Sequence, residues 1–431
     1  MGDGVPSSIP LPSSRIETRG RILAVLPDHP HPADMGSRVR NLRILEALSE
    51  RFDLDIVTLV HDRRHLEDPG PITRLGRWIP VLAPHRRSQA RRLLTHGRAY
   101  WAALREGLHR DTFFQSFPEL SQKVDDSVRA GRYDLVHSAY WFTLRHLESM
   151  PRPPLWIVDT HDVQFERHER LWGRRSPREK AAELHELRRY DRVIAITERD
   201  RALFRSSLGE SPLCEVIGMG LDFSQWDDVA PAQPPAPRVA FYGNLSTSAN
   251  QQAARHLLDD LVPSLAREVK GLEVLLLGAD PPEDLRAPKA RPGVHVEVTG
   301  FVDDVKPWLA SARVIALTLR AGSGQRGRVV EALALGVPVI GYPEALEGLE
   351  LSEGEGIVVA RDAAEMGRQL SALLLDPQRA QALGAVGKTA VRERYGIERT
   401  YGLFPALYET LIANQNARAT AAPSPHGSSS R

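Results

Sequence analysis

Short apolar, β-branched runs alternate with longer helical patterns along almost the whole chain, and the alternation starts afresh after residue 238. In the first half the strand candidates are RILAVLP from Arg21, LDIVTLV from Leu54, DLVHSAY from Asp134, PLWIVDT from Pro154, RVIAITE from Arg192 and CEVIGMG from Cys214. Continuous apolar runs of this kind suit parallel strands covered on both faces. Between them Ser37–Glu50 spaces Val39, Leu42, Leu45 and Leu48 for one helical face. A proline-rich stretch, DDVAPAQPPAPR from Asp227 to Arg238, has neither period and reads as a linker. RVAFYGN, LEVLLLGA, VHVEVTG, RVIALTL, VPVIGY and GIVVA then repeat the strand pattern. The predicted fold is α/β, with two Rossmann-like, doubly wound parallel-sheet domains facing across a cleft at the carboxyl ends of their strands. The expected boundaries are a disordered 1–19, a first domain at 20–226, the linker at 227–237 and a second domain at 238–400. A helix at 401–414 packs back on the first domain in this reading, and 415–431 is a disordered tail.

Composition narrows the function classes. Lys and Arg total 56 against 55 for Asp and Glu, so no global field draws the 431-residue chain to nucleic acid. The balance favours a small ligand recognised locally. Cys214 is the only cysteine, which excludes an internal disulfide framework and a Cys-based zinc site and fits a reducing cytoplasm. No apolar run has transmembrane length, and the first residues lack the apolar core of a signal peptide. The expected location is the cytoplasm. From His85 to Arg110 the chain is basic, with Leu93, Leu94, Tyr100, Trp101 and Leu104 interleaved. That segment reads as a helix with solvated arginines; peripheral contact with an anionic inner membrane face through 85–110 is the alternative.

The segment TLRAGSGQRGRVVEALALGVPVIGY, from Thr318 to Tyr342, carries the chemistry. A strand runs into Gly322, Ser323 and Gly324, and a helical pattern follows from about Arg328. Glycines let backbone N–H groups approach an anion, and the new helix offers its positive end. Arg326 and Arg328 add fixed charge suited to a diphosphate leaving group, and Glu331 presents two acceptors that fit ribose hydroxyls. The alternative is a glycine-rich turn beside a surface Arg–Glu pair. Gly322, Gly324 and Gly327 also spell the dinucleotide fingerprint with Glu344 downstream, but they follow a fourth strand where that fingerprint opens a domain. Gly387-Lys388-Thr389 ends like a P-loop, yet Ala382 replaces its first glycine in a helical context. Asp53-Leu54-Asp55 has a metal-binding D-x-D form at the wrong end of a strand. No metal and no cofactor are expected.

These segments resemble family 4 of the retaining glycosyltransferases, and most nearly bacterial sugar transferases of the polysaccharide-biosynthesis type. Phe241–Pro263 (FYGNLSTSANQQAARHLLDDLVP) looks like the family's strand, glycine loop and helix. Gly300–Arg320 is similar to the segment whose Gly-Phe-Val turn lies near the nucleotide base, and GSGQRGRVVEALALGVPVI matches the donor-binding motif. PADMGSRVR (Pro32–Arg40), DTHDVQFERH (Asp159–His168) and YDRVIAITERDRALF (Tyr190–Phe204) follow the family in the first half. The resemblance implies a GT-B fold, with an acceptor domain first and a nucleotide-sugar domain second. It implies donor contacts by Gly36, Gly243, Phe301, Val302, Gly322, Ser323, Gly324, Gln325 and Glu331, and catalytic roles for Arg326, Arg328 and His161. Four departures stand out: Arg328 replaces the usual Lys, Ser323 replaces the first Glu of a frequent Glu pair, Gly218-Met219 replaces Pro-Asn, and the first helix loop has one glycine where many relatives have two.

The implied reaction is a retaining, metal-independent transfer of a sugar from a UDP- or GDP-sugar to a hydroxyl of a glycan, a lipid-linked sugar or a natural product. A sugar-nucleotide epimerase or hydrolase on the same fold, and a degenerate nucleotide-binding regulatory subunit, are the alternatives. His137, His29 and His31 read as structural histidines with a lesser claim on the site, and Asp162 reads as capping or orienting the turn after His161.

Overall fold

The computed structural model describes residues 19–33, 35–83, 94, 97, 100–101, 117–144, 149–152, 154–172, 176–229, 236–320 and 327–421. The first domain contains strands β1 (Arg21–Leu26), β2 (Asp53–Val60), β3 (Arg77–Leu82), β4 (Leu135–Ala139), β5 (Leu155–Asp159), β6 (Arg192–Ala195) and β7 (Leu213–Val216). They form one sheet in the order β3-β2-β1-β4-β5-β6-β7, every pair parallel. The second contains β8 (Arg238–Tyr242), β9 (Leu272–Leu277), β10 (Val294–Gly300), β11 (Val314–Leu317), β12 (Val339–Gly341) and β13 (Ile357–Val359). Their order is β10-β9-β8-β11-β12-β13, again all parallel. The strand order reverses beside β1 in one sheet and beside β8 in the other, so each has a crevice there outside its carboxyl edge.

β3 is the strand the sequence reading passes over. Its RWIPVL carries Pro80, which removes a backbone donor, and it sits at the sheet edge, where a missing donor is tolerated. Apolar residues of the first sheet feed separate clusters on its two faces, while one cluster holds most of the buried residues of the second domain. The chain then returns: the helix Leu403–Ala421 runs past residue 414 and packs on the helix Gly36–Ser49, with Tyr401, Phe404, Tyr408 and Leu411 buried among Ile22, Ala24, Ile44 and Leu45.

The Gly36–Ser49 helix differs from its predicted stripe. Arg40, Asn41, Ile44, Leu45 and Leu48 are buried, while Val39 and Leu42 are only half-buried. A charged side chain faces the core because its partner waits there, as described below. Among the described residues an ion pair bridges the two carboxyl edges: Arg199, in the first turn of the helix after β6, lies 2.6 Å from Glu347, beyond β12. Among the described residues no helix is long and apolar enough to cross a membrane. The basic segment 85–110 lies outside the described residues except for positions 94, 97, 100 and 101.

Candidate active site

At the reversal point of the second sheet, β8 ends in Tyr242 and turns at Gly243, and β11 leads toward the helix Gly327–Ala334. That helix starts close enough to lay Arg328 across the turn. Arg328 Nη1 donates to the Tyr242 carbonyl at 2.9 Å and to Asn250 Oδ1 at 3.1 Å. Asn250 is itself oriented, since its Nδ2 donates to the Asn244 carbonyl at 2.6 Å and Thr247 caps its helix. A Cβ on Gly243 would stand 2.5 Å from Arg328 Nη1, so only glycine leaves room for the guanidinium. The Tyr242 hydroxyl hydrogen-bonds Glu331, one turn beyond Arg328. Burial pulls the Arg328 pKa down, against the pull of Tyr242 and Glu331, and pushes Glu331 up against Tyr242 and Arg328. Arg328 is thus a half-buried cation whose partners are both neutral, and among the described residues no carboxylate pairs with it. A surface Arg–Glu pair is not what forms.

Gly322, Ser323, Gly324, Gln325 and Arg326 lie outside the described residues. Phe301, at the carboxyl end of β10, is 71% exposed, and Val302 rests against the domain core. Tyr242 and Asn250 are site residues that the sequence reading missed; they fall inside the resembling segment Phe241–Pro263, but no local pattern singles them out.

In the first domain, Gly36 opens the helix after β1, whose N-terminus receives no side-chain cap from Met35. His161 follows the carboxyl end of β5, buried, with φ +58°, a left-handed conformation costly for a non-glycine residue. Tyr140, just past β4, has φ +61°, and the two rings stack at 4.2 Å between centroids. His161 Nε2 lies 3.1 Å from Asp159 Oδ2, off the ideal hydrogen-bond axis. Asp159 is gripped in turn by Arg40: Nε to Oδ2 and Nη2 to Oδ1 are both 2.7 Å, with neither side chain exposed. Arg40 gives two further donors to the Ile217 and Gly218 carbonyls. Burial opposes ionisation of Asp159, but Arg40 and His161 outweigh it and hold the carboxyl far below the usual carboxylate range. Neither Arg40 nor Asp159 was singled out from sequence.

The other first-domain candidates sort themselves by partner. His137 is fully buried, its Nδ1 2.7 Å from the Tyr408 hydroxyl of the returning helix, and burial holds its pKa down at about 4. His29 is buried and stacked on His65 at 4.3 Å, while His31 faces solvent. Asp162 takes the orienting rather than the capping part of its expected role in the turn after His161. It accepts from the Gln164 side chain, while Glu183 takes the Gln164 and Phe165 backbone N–H groups at 3.2 and 2.9 Å. Asp55 of the D-x-D is an ion-pair centre away from the cleft, bound by Arg21 at 2.8 Å, by Arg77 at 2.5 Å and by the Tyr133 hydroxyl. Gly387 of the P-loop decoy is a helix-packing contact against Gly356 and Leu333. Among the described residues no group of three or more His, Cys, Asp or Glu side chains is arranged to hold a metal ion.

The fold recurs in solved structures of low sequence identity. Sucrose-phosphate synthase from Thermosynechococcus elongatus superposes with a TM-score of 0.69 at 18% identity, over 92% of this chain and all of that one. HepE of Anabaena, solved in complex with UDP, gives 0.62 at 15%, over 93% and 99%. A glycosyltransferase from Rickettsia africae gives 0.60 at 11%, over 92% and 100%. The fold is therefore GT-B. A sequence comparison with curated proteins gives no match. Residues 236–376, which hold Tyr242, Gly243, Asn250, Arg328 and Glu331, match the family model described as glycosyl transferases group 1, and the second half of the chain carries such a domain.

Proposed function

We propose that the protein is a retaining, metal-independent glycosyltransferase that uses a nucleotide-diphosphate sugar. The observation that carries this reading is Arg328: a guanidinium held over a glycine turn at the sheet's reversal point, among the described residues, by neutral acceptors alone. A diphosphate bound there supplies the missing anion, and the charge that grows on it as the sugar departs is the charge Arg328 stabilises. Arg326 and the start of the Gly327–Ala334 helix add to that field. The departing phosphate oxygen takes the acceptor hydroxyl's proton as the hydroxyl captures the sugar from the same face, so no separate base is required. Gly243, Phe301, Val302 and residues 322–325 line the nucleotide side, Glu331 takes the ribose with Tyr242 orienting its carboxylate, and Gly36 and His161 approach from the first domain. HepE was solved with UDP, which makes a UDP-sugar the first donor to test and a GDP-sugar the second. A glycan, a lipid-linked sugar or a small-molecule alcohol is the acceptor class.

A thermal-shift screen of nucleotide sugars tests the reading. At a hundredfold excess over its dissociation constant the correct donor stabilises the native state by about 2.7 kcal/mol. Arg328→Ala loses most of that gain, and nucleotide is released only when acceptor is added. An unchanged shift in Arg328→Ala removes Arg328 from the site and the proposal with it.

A further inference from the structure

The first domain holds a second constellation, separate from the diphosphate grip. Arg40, Asp159, His161 and Tyr140 come from four places in the chain: the helix after β1, the end of β5, the turn beyond it and the turn beyond β4. Two of these residues, Tyr140 and His161, sit in the left-handed region with φ of +61° and +58°. A fold retains two such residues side by side when the surrounding structure over-determines them, and strain of this kind collects where side-chain direction matters. Here both are rings, stacked face to face, with Phe142 stacked on the far side of Tyr140 at 4.8 Å.

The geometry points to Asp159 and Arg40 as positioning residues that fix the His161 imidazole for the transfer reaction. Asp159 Oδ2 stands 3.1 Å from His161 Nε2, a buried nitrogen with no other hydrogen-bond partner among the described residues. An ionised carboxylate there keeps the proton on Nε2 and leaves Nδ1 as the ring's acceptor, available to a sugar hydroxyl. The carboxylate cannot swing away, because both its oxygens are held by Arg40 at 2.7 Å. Arg40 cannot move either: the Ile217 and Gly218 carbonyls take two of its donors at 2.8 and 3.0 Å, and Phe404 of the returning helix lies 5.5 Å from its guanidinium carbon. The helix Leu403–Ala421 therefore belongs to the support of the site. Tyr140 closes the face of the imidazole and blocks its flipping.

The proposal rests on the transferase reading only for its kinetic half, and the test separates the two. In full-length protein labelled with nitrogen-15 histidine, His161 is assigned by the signals lost in His161→Gln. Wild type is expected to show one fixed His161 ring with the proton on Nε2. The paired substitution Arg40→Met with Asp159→Leu removes both charges together, leaving no buried ion uncompensated. It is expected to release the ring into a tautomer mixture. A wild-type His161 that already exchanges tautomers overturns the proposal without any variant, and so does a paired variant whose His161 signals do not change. In the kinetic half, the paired substitution lowers turnover by about 10- to 100-fold, the range for removing a carboxylate that orients a histidine. It costs nothing further in a His161→Gln background, because its effect passes through that ring. Equal losses in both backgrounds mean a merely structural role and refute it. A chain that transfers no sugar leaves the spectroscopic half to decide.

Discussion

Gly243→Ala separates binding from folding at the candidate site. The added methyl would stand 2.5 Å from Arg328 Nη1 and 3.1 Å from both Arg328 Cζ and Asn250 Oδ1. Unstrained contact needs about 3.5 Å, so the guanidinium must retreat by about 1 Å. Its bonds of 2.9 and 3.1 Å to the Tyr242 carbonyl and Asn250 then stretch past hydrogen-bonding range. The atom that yields is the far end of a flexible side chain, so the fold loses only about 1 kcal/mol, at the low end for overpacking. For a domain of this size that is a fall of about 2–4 °C in Tm. The diphosphate loses far more, because a charge misplaced from a developing anion costs about 2.7–4 kcal/mol, or roughly 100- to 1000-fold in kcat. The assay pairs thermal unfolding, with and without UDP-sugar, with initial rates of nucleotide release. A Gly243→Ala protein with wild-type nucleotide stabilisation and turnover refutes the argument, as does one that unfolds tens of degrees early.

Three further outcomes follow from the same packing. His137 is held neutral by burial, with a pKa of about 4 against about 6.5 in the unfolded chain, so its contribution is complete above pH 6.5 and is lost as pH falls toward 4. That window is worth about 3 kcal/mol, and urea midpoints of a His137→Asn variant should fall less steeply across it than those of wild type. Gly384→Ala should destabilise by about 1–3 kcal/mol or more and weaken nucleotide binding with it, since its Cβ would meet the Gly336 carbonyl oxygen at 1.8 Å, backbone against backbone beside the helix that carries Arg328. Arg199→Ala cuts the pair with Glu347 across the two domains together with a two-pronged pair to Glu166 in the first domain, so stability should fall by about 1–2 kcal/mol while solution scattering reports a wider spread of domain separations.

Strands were legible wherever both faces are buried, because a run such as LEVLLLGA has one reading in an alternating chain. β3 was not, since Pro80 interrupts its run; the edge strands β7, β10 and β13, which carry no proline, were read. The same contrast governs the site. Arg328 and Glu331 announce themselves through glycines before a helix, a local pattern. Their partners do not: Asn250 is 78 residues from Arg328, and Asp159 is 119 from Arg40. Those meetings are created by strand order, which puts β8 beside β11 and β5 one place from β4. Arg40 was hidden for a further reason. On the helix it occupies a core-facing position, and a charge in an apolar stripe makes sense only when its buried counter-ion is known.

The two domains use one topology to opposite electrostatic ends. Near the reversal point of the first sheet, Arg40 is neutralised: a bidentate carboxylate pairs its charge, and two carbonyls and an aromatic ring hold it further. A cation so paired attracts no ligand, and its effect is to immobilise what it touches. At the same place in the second sheet Arg328 has, among the described residues, only neutral acceptors, and desolvation makes its ionised form costly until an anion arrives. A cation in that state gains most from a dianionic diphosphate and from any further charge that develops on it. This asymmetry argues for a division of labour, in which the second domain holds the leaving group and the first holds a rigid ring against the sugar. It also gives the order of sensitivity: exchanging Arg328 for Lys changes reach and loses a fixed fork of donors, whereas exchanging Arg40 for Lys leaves the Asp159 carboxylate with half its grip. The first change should appear in donor affinity and turnover together, and the second in turnover with donor affinity kept; the reverse pattern in steady-state kinetics would overturn the assignment of roles.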